Sequence, residues 1–183
     1  MKDLDKLNKE ARIVFLLFLT QLVIDNLADS EGYDIAVNAL QRCWDWVFYK
    51  NIEAFDLYDY LGNDDENDVT TFMLSERRET QQKAWLCVDV VLSITIQNAF
   101  EYENQKIVPE DIETLYIEEE MDKTIEFFWD SFTKIYDNTA VVDNLFLQMT
   151  NNYPMGTDKS IKKEDLKSCI DLIQSECGNE NLF

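Results

Sequence analysis

The chain has 183 residues, a one-domain length, and Leu, Ile, Val and Phe supply about 30 % of them, so a sizeable core can form. Four glycines and two prolines are too few for the turns that a sandwich or barrel needs every ~8–12 residues, which excludes an all-β fold. Sixteen basic against 37 acidic residues give a net charge of −21, so the surface repels DNA, RNA and anionic lipid and attracts basic partners.

Gly32, Gly62, Pro109, Pro154 with Gly156, and Gly178 cut the chain into segments whose apolar spacing alternates threes and fours, the pattern of amphipathic helices. Leu4, Leu7, Ala11, Val14 and Phe18 form the first stripe, which enters the apolar run Ile13–Ile24. That run is shorter than the roughly 20 residues a bilayer requires. Asp3, Asp5 and Glu10 interrupt the basic residues before it, and no small-residue cleavage site follows, so it reads as a buried helix of a cytoplasmic protein. Ala36, Leu40, Cys43 and Val47 carry the second helix. A long central helix is expected near residues 71–104, with Trp85, Val88, Leu92, Ile96 and Ala99 on one face. Ala84, Cys87, Val91 and Thr95 widen that face, so other helices should touch it on more than one side.

Pro109 followed by Glu110 and Asp111 suits a helix start, and the stripe Met121, Ile125, Phe128, Phe132 and Ile135 continues from there. A break near Asn138-Thr139 precedes a short helix ending at Met149, and Leu166, Ile170, Ile173 and Cys177 mark the last. The expectation is an all-α fold: a single compact domain of about six helices over 1–183, with its core at about 5–177 and a short tail, 178–183.

The absence of histidine excludes Ser-His-Asp and Cys-His nucleophilic sites and HExxH zinc sites. Cys43, Cys87, Cys169 and Cys177 contain no CxxC pair, and the first three sit among apolar residues, as buried reduced thiols do. Asp64, Glu66 and Asp68 resemble the first half of a calcium loop, but Val69 stands where glycine is needed and Ser75 where a bidentate glutamate is needed. Glu110-x-x-Glu113 and Glu119-x-x-Asp122 resemble the paired carboxylates of a helical magnesium hydrolase. Read as one continuous helix, they cannot face each other across a metal. No catalytic residue, metal ligand or cofactor site is therefore assigned. The alternatives kept beside a binding role are that hydrolase and a phosphate-mimicking inhibitor of a DNA-binding protein.

Two stretches concentrate the acidity. Residues 52–68 hold seven carboxylates and no base, and residues 101–122 hold nine against Lys106 alone. A charge of −21 exceeds the magnitude of about 2–8 that solubility asks of a small domain, which points to a basic partner. Trp44 and Trp46 point roughly 200° apart on a helix, so one is expected at an interface or beneath the next segment.

The motifs Cys43-Trp44-Asp45-Trp46-Val47, Leu57-Tyr58-Asp59-Tyr60-Leu61 and Lys83-Ala84-Trp85-Leu86-Cys87 resemble an all-helical family of immunity proteins from bacterial polymorphic-toxin systems, over about residues 5–150. The resemblance implies a cytoplasmic protein that binds and neutralises a cognate toxin domain, often a nuclease, and it carries over no catalytic residue. The acidic stretches then supply the interface candidates: Asp56, Tyr58, Asp59, Tyr60, Asp64, Asp65, Glu66 and Asp68, extended by Glu118, Glu119, Glu120 and Asp122. The partner expected is a basic protein, with no direct contact to nucleic acid or membrane.

Overall fold

The computed structural model describes residues 2–62 and 67–177. Among these the architecture is all-α, with nine helices and no strand beyond one isolated bridge. They are α1 (Lys9–Gln21), α2 (Tyr33–Tyr49), α3 (Ala54–Leu61), α4 (Val69–Ser75), α5 (Glu79–Glu103), α6 (Glu110–Glu113), α7 (Glu118–Ile135), α8 (Thr139–Asn152) and α9 (Lys167–Cys177). The segment expected as the tail, 178–183, lies outside the described residues.

The apolar run of α1 and the broad face of α5 both become core. From Ile13 to Leu19 every side chain of α1 is buried, as are Trp85, Cys87, Val88, Leu92 and Ile96 of α5. α5 packs against α1, α2, α3, α4, α6 and α7, while α8 and α9 cover the far side of α1. By length and composition α5 could cross a membrane, yet 72 % of its most apolar window is buried inside the protein, as for a core helix. Buried hydroxyls are satisfied within their own helices: Thr95 Oγ1 of α5 donates to the Val91 carbonyl at 2.7 Å, and Thr20 Oγ1 of α1 donates to the Leu16 carbonyl at 2.9 Å.

The helices exceed the expected six because three short ones separate from longer segments. α3 forms between the second and the central helix. α4 splits from α5 at Glu76, which is extended (ψ 132°). Glu76 Oε1 accepts from the backbone N–H groups of Arg77 and Arg78, both at 2.9 Å, and Oε2 accepts from Ser30 Oγ at 3.1 Å. Arg78 also reaches Ser30 Oγ (3.0 Å), so the break is held by the loop before α2. α6 splits from α7 at Ile117 (ψ 117°). There Gln97 Nε2 donates to the Leu115 carbonyl and the Tyr116 hydroxyl donates to the Gln97 carbonyl, both at 3.1 Å.

The first helix starts later than its stripe suggests. Leu4 sits in a 3-10 turn and Leu7 in the bridge to Pro154, and Asn8 caps α1 by accepting from the Ala11 N–H at 2.9 Å. Both leucines are buried nonetheless. Trp44 and Trp46 are both buried, so neither meets solvent as an interface residue would. Trp44 stacks on Phe48, and Trp46 lies between Tyr102 and Lys50, whose Nζ is 3.7 Å from the indole centroid. Cys43, Cys87 and Cys169 are buried, and no thiol is in a disulfide. Burial pushes the Cys43 thiol up to about 12 and that of Cys169 up to about 11, which keeps them protonated and unreactive.

Candidate interaction surface

The eight residues of α3 present Leu57 and Leu61 to the core, so Asp56 and Asp59 are left on the outside with Tyr58 and Tyr60 half-buried at the edges. The helix entry is fixed from a distance: Glu103 Oε1, at the end of α5, accepts from the Ala54 N–H at 2.7 Å. That carboxylate satisfies one of the amide groups that a helix start leaves without a partner. On the next element, Ile112 of α6 and Leu115 are buried while Glu110, Asp111 and Glu113 stay exposed. Glu118, Glu119 and Glu120 open α7, where the positive end of the helix dipole favours them. Lys123 pairs with Glu119 (3.1 Å) and Glu120 (2.9 Å), while Glu118 and Asp122 are exposed.

The two acidic stretches, some fifty residues apart in sequence, meet in space. The Tyr58 hydroxyl of α3 donates to Asp111 Oδ1 at 3.2 Å. Burial and the Asp111 charge raise the Tyr58 pKa, which keeps the phenol a donor. Asp68 does not join this surface. It is 2 % exposed and caps α4, with Oδ1 accepting from the Thr71 N–H at 2.8 Å and Oδ2 from the Thr71 hydroxyl at 3.1 Å. Asp64, Asp65 and Glu66 lie outside the described residues. Val69–Ser75, which would form the second half of a calcium loop, is instead α4.

The grounds for setting aside a metal site also change. Glu110 and Glu113 lie on α6 and Glu119 and Asp122 on α7, so the two motifs are not on one helix. Among the described residues, no three carboxylates or thiols are gathered as a metal ion requires.

One carboxylate beneath this surface is electrostatically strained. Asp89 of α5 accepts from the Thr70 hydroxyl at 2.9 Å. Burial raises its pKa to about 6, with Asp111 and Asp68 adding to the rise and Thr70 opposing it. The folded protein therefore keeps this proton over roughly pH 4–6, where the unfolded chain has released it. The stability it contributes is fully present below about pH 4 and is lost as pH rises through 6. Glu76 acts in the opposite sense. Hydrogen bonding to the Arg78 guanidinium holds it at about 2, so its contribution is present above its ordinary value and fades as pH falls toward 2. Asp89→Asn keeps an acceptor for Thr70. It should raise stability at pH 7 by on the order of 1–2 kcal/mol and flatten the urea midpoint between pH 4 and 7. A variant with the wild-type midpoint at pH 7 would show that Asp89 is not strained.

Sequence reasoning missed Asp111, the residue that joins the two stretches, and the exposed Phe55, Tyr102, Tyr116 and Ile117 near it. Tyr102 stands between Glu101 and Glu103, and that apolar ring within an acidic stretch was the available signal.

Curated proteins and solved structures give no match to the chain. The profile of the family described as immunity protein Imm6 matches residues 11–135, which run from the first turn of α1 to the end of α7 and include the whole of the surface just described. Membership carries with it a toxin-neutralising role and a cognate toxin as partner. The match spans more than half of the sequence, with the motifs around Trp44, Tyr58 and Trp85 inside it, and the chain belongs to the Imm6 family of immunity proteins.

Proposed function

We propose that this protein neutralises its toxin in the cytoplasm by one-to-one binding, without catalysis, and that its acidic face covers the basic substrate-binding surface of a nuclease domain. The observation that carries this reading is the Tyr58–Asp111 hydrogen bond, which brings the acidic α3 against the acidic α6. A nuclease must present positive potential to phosphates, and a face of carboxylates competes for that potential. Attraction over such a face raises association above the ~10⁵–10⁶ M⁻¹s⁻¹ of a neutral pair, and salt screens it.

The test is the variant Asp56→Lys, Asp59→Lys, Glu118→Lys, Glu119→Lys and Asp122→Lys, which leaves the Asp68 cap and the Tyr58–Asp111 bond in place. Against the cognate toxin domain, stopped-flow association should slow at least ~10-fold at low salt and lose its salt dependence. Protection of toxin-expressing cells should fall with it, and helicity should not change. Association and protection at the wild-type level would place the interface elsewhere.

A further inference from the structure

A cavity of about 170 Å³ opens between α1, α5 and α7, walled by Leu16, Ile94, Leu115, Met121 and Ile125. Leu16, Ile94 and Leu115 are buried and Met121 and Ile125 half-buried, so the last two stand nearest to solvent. An apolar cavity of roughly 150 Å³ takes up a benzene ring, so this one has room for a single leucine- or phenylalanine-sized group. Gln97 holds its shape: Nε2 donates to the Leu115 carbonyl at 3.1 Å and pins the wall supplied by the turn before α7. The other polar groups around it are already engaged. Lys9 pairs with Glu101 (2.6 Å), Arg12 with Asp5 (3.0 Å), and Asn98 Nδ2 donates to the Ile94 carbonyl at 2.8 Å. A polar ligand would have to break these bonds, whereas an apolar one only leaves water for hydrocarbon walls. Glu118 also lines the cavity, and among the described residues it makes no ion pair.

Resting on the acidic-face reading above, we infer that the toxin anchors in this cavity through one apolar side chain that has a basic residue beside it. The occupant's chemistry follows from the lining: an aromatic or branched aliphatic group gains the five apolar walls, and a neighbouring cation gains Glu118, the charge left over at the rim. The place follows from continuity. Glu118 opens α7 with the acidic run Glu118–Glu120, and Leu115 follows α6, whose Asp111 accepts from Tyr58. Interfaces concentrate affinity where a side chain is buried in such a pocket, while exposed charges set the rate of encounter. A second copy of this chain is a poor occupant, because each would bring a net charge of −21 to the contact.

The full-length protein is titrated at low salt with benzylammonium and with benzoate, each a single ring carrying one charge, while the methionine methyl signals are followed by NMR. Benzylammonium should move the Met121 methyl and leave that of Met149, buried in α8, unchanged. It should bind at least ~3-fold more tightly than benzoate. Ile125→Trp, which fills the cavity, should abolish the Met121 shift at unchanged helicity. With the cognate toxin domain, Ile125→Trp and Met121→Phe should each associate within ~2-fold of wild type and dissociate at least ~10-fold faster. A Met121 signal that neither ligand moves, benzoate binding as tightly as benzylammonium, or wild-type toxin dissociation from both filled variants overturns the inference. So does concentration-dependent self-association that Ile125→Trp abolishes. The charge-reversed variant separates this failure from failure of the acidic face. If it associates slowly while the filled variants dissociate as wild type does, the face stands and the anchor falls. If it associates at the wild-type rate while the filled variants dissociate fast, the face falls and the anchor stands.

Discussion

Trp85→Ala is expected to lower stability by about 3–5 kcal/mol. Trp85 is fully buried in the first half of α5 and stacks on Phe72 of α4 at 5.6 Å between centroids. Removing the indole forfeits its transfer free energy and leaves a cavity between two helices that the Glu76–Arg78–Ser30 bonds hold in place, so collapse around it is limited. Toxin binding by the remaining folded protein should survive while the folded fraction falls, because Trp85 is buried and touches no partner. Urea unfolding gives the loss, and association with the cognate toxin domain well below the unfolding midpoint gives the binding. A loss under about 1 kcal/mol would show that the site relaxes freely. Weakened binding in fully folded protein would show that the Trp85 site and the acidic face are coupled.

Gly32→Ala should cost about 2–4 kcal/mol through two separable effects. Gly32 precedes α2 with φ +79°, a left-handed conformation that an L side chain adopts only at a cost of about 1–2 kcal/mol. A Cβ there would also lie 2.5 Å from Cδ2 and Cε2 of Phe72, the ring that stacks on Trp85. Relief of that clash must displace Phe72 from the indole, at a further 1–3 kcal/mol or so. Gly32→Ala/Phe72→Ala should therefore be more stable than the sum of the single changes predicts, by about the clash contribution, and should retain the backbone strain. Strict additivity of the two substitutions would mean that the ring yields without cost.

Periodicity and composition were enough to define the helices that bury wide apolar faces. α2, α8 and α9 fall close to where the apolar spacing puts them, and α5 does so from Glu79 onward, eight residues later than expected, because burial of such a face dominates helix formation in a folded chain. Helix ends set by local chemistry are legible in principle, as with Asn8 and Asp68, whose side chains each accept from the N–H three residues on. Asp68 was nonetheless counted with the surface charges, because capping and solvation use the same residue type and only burial separates them. The family resemblance also rested on sequence alone, on the short aromatic–acidic motifs.

The breaks at Glu76 and Ile117 were hidden because local sequence favours continuing the helix through both. Each is decided by a partner far along the chain, Ser30 for Glu76 and Gln97 for the turn before Ile117. The candidate interface was half visible in the same way. Two acidic stretches can be counted from composition, but charge counts carry no distances. Tyr58 meets Asp111 only because α3 and α6 pack on one helix, and a one-dimensional pattern does not encode which side of α5 each takes.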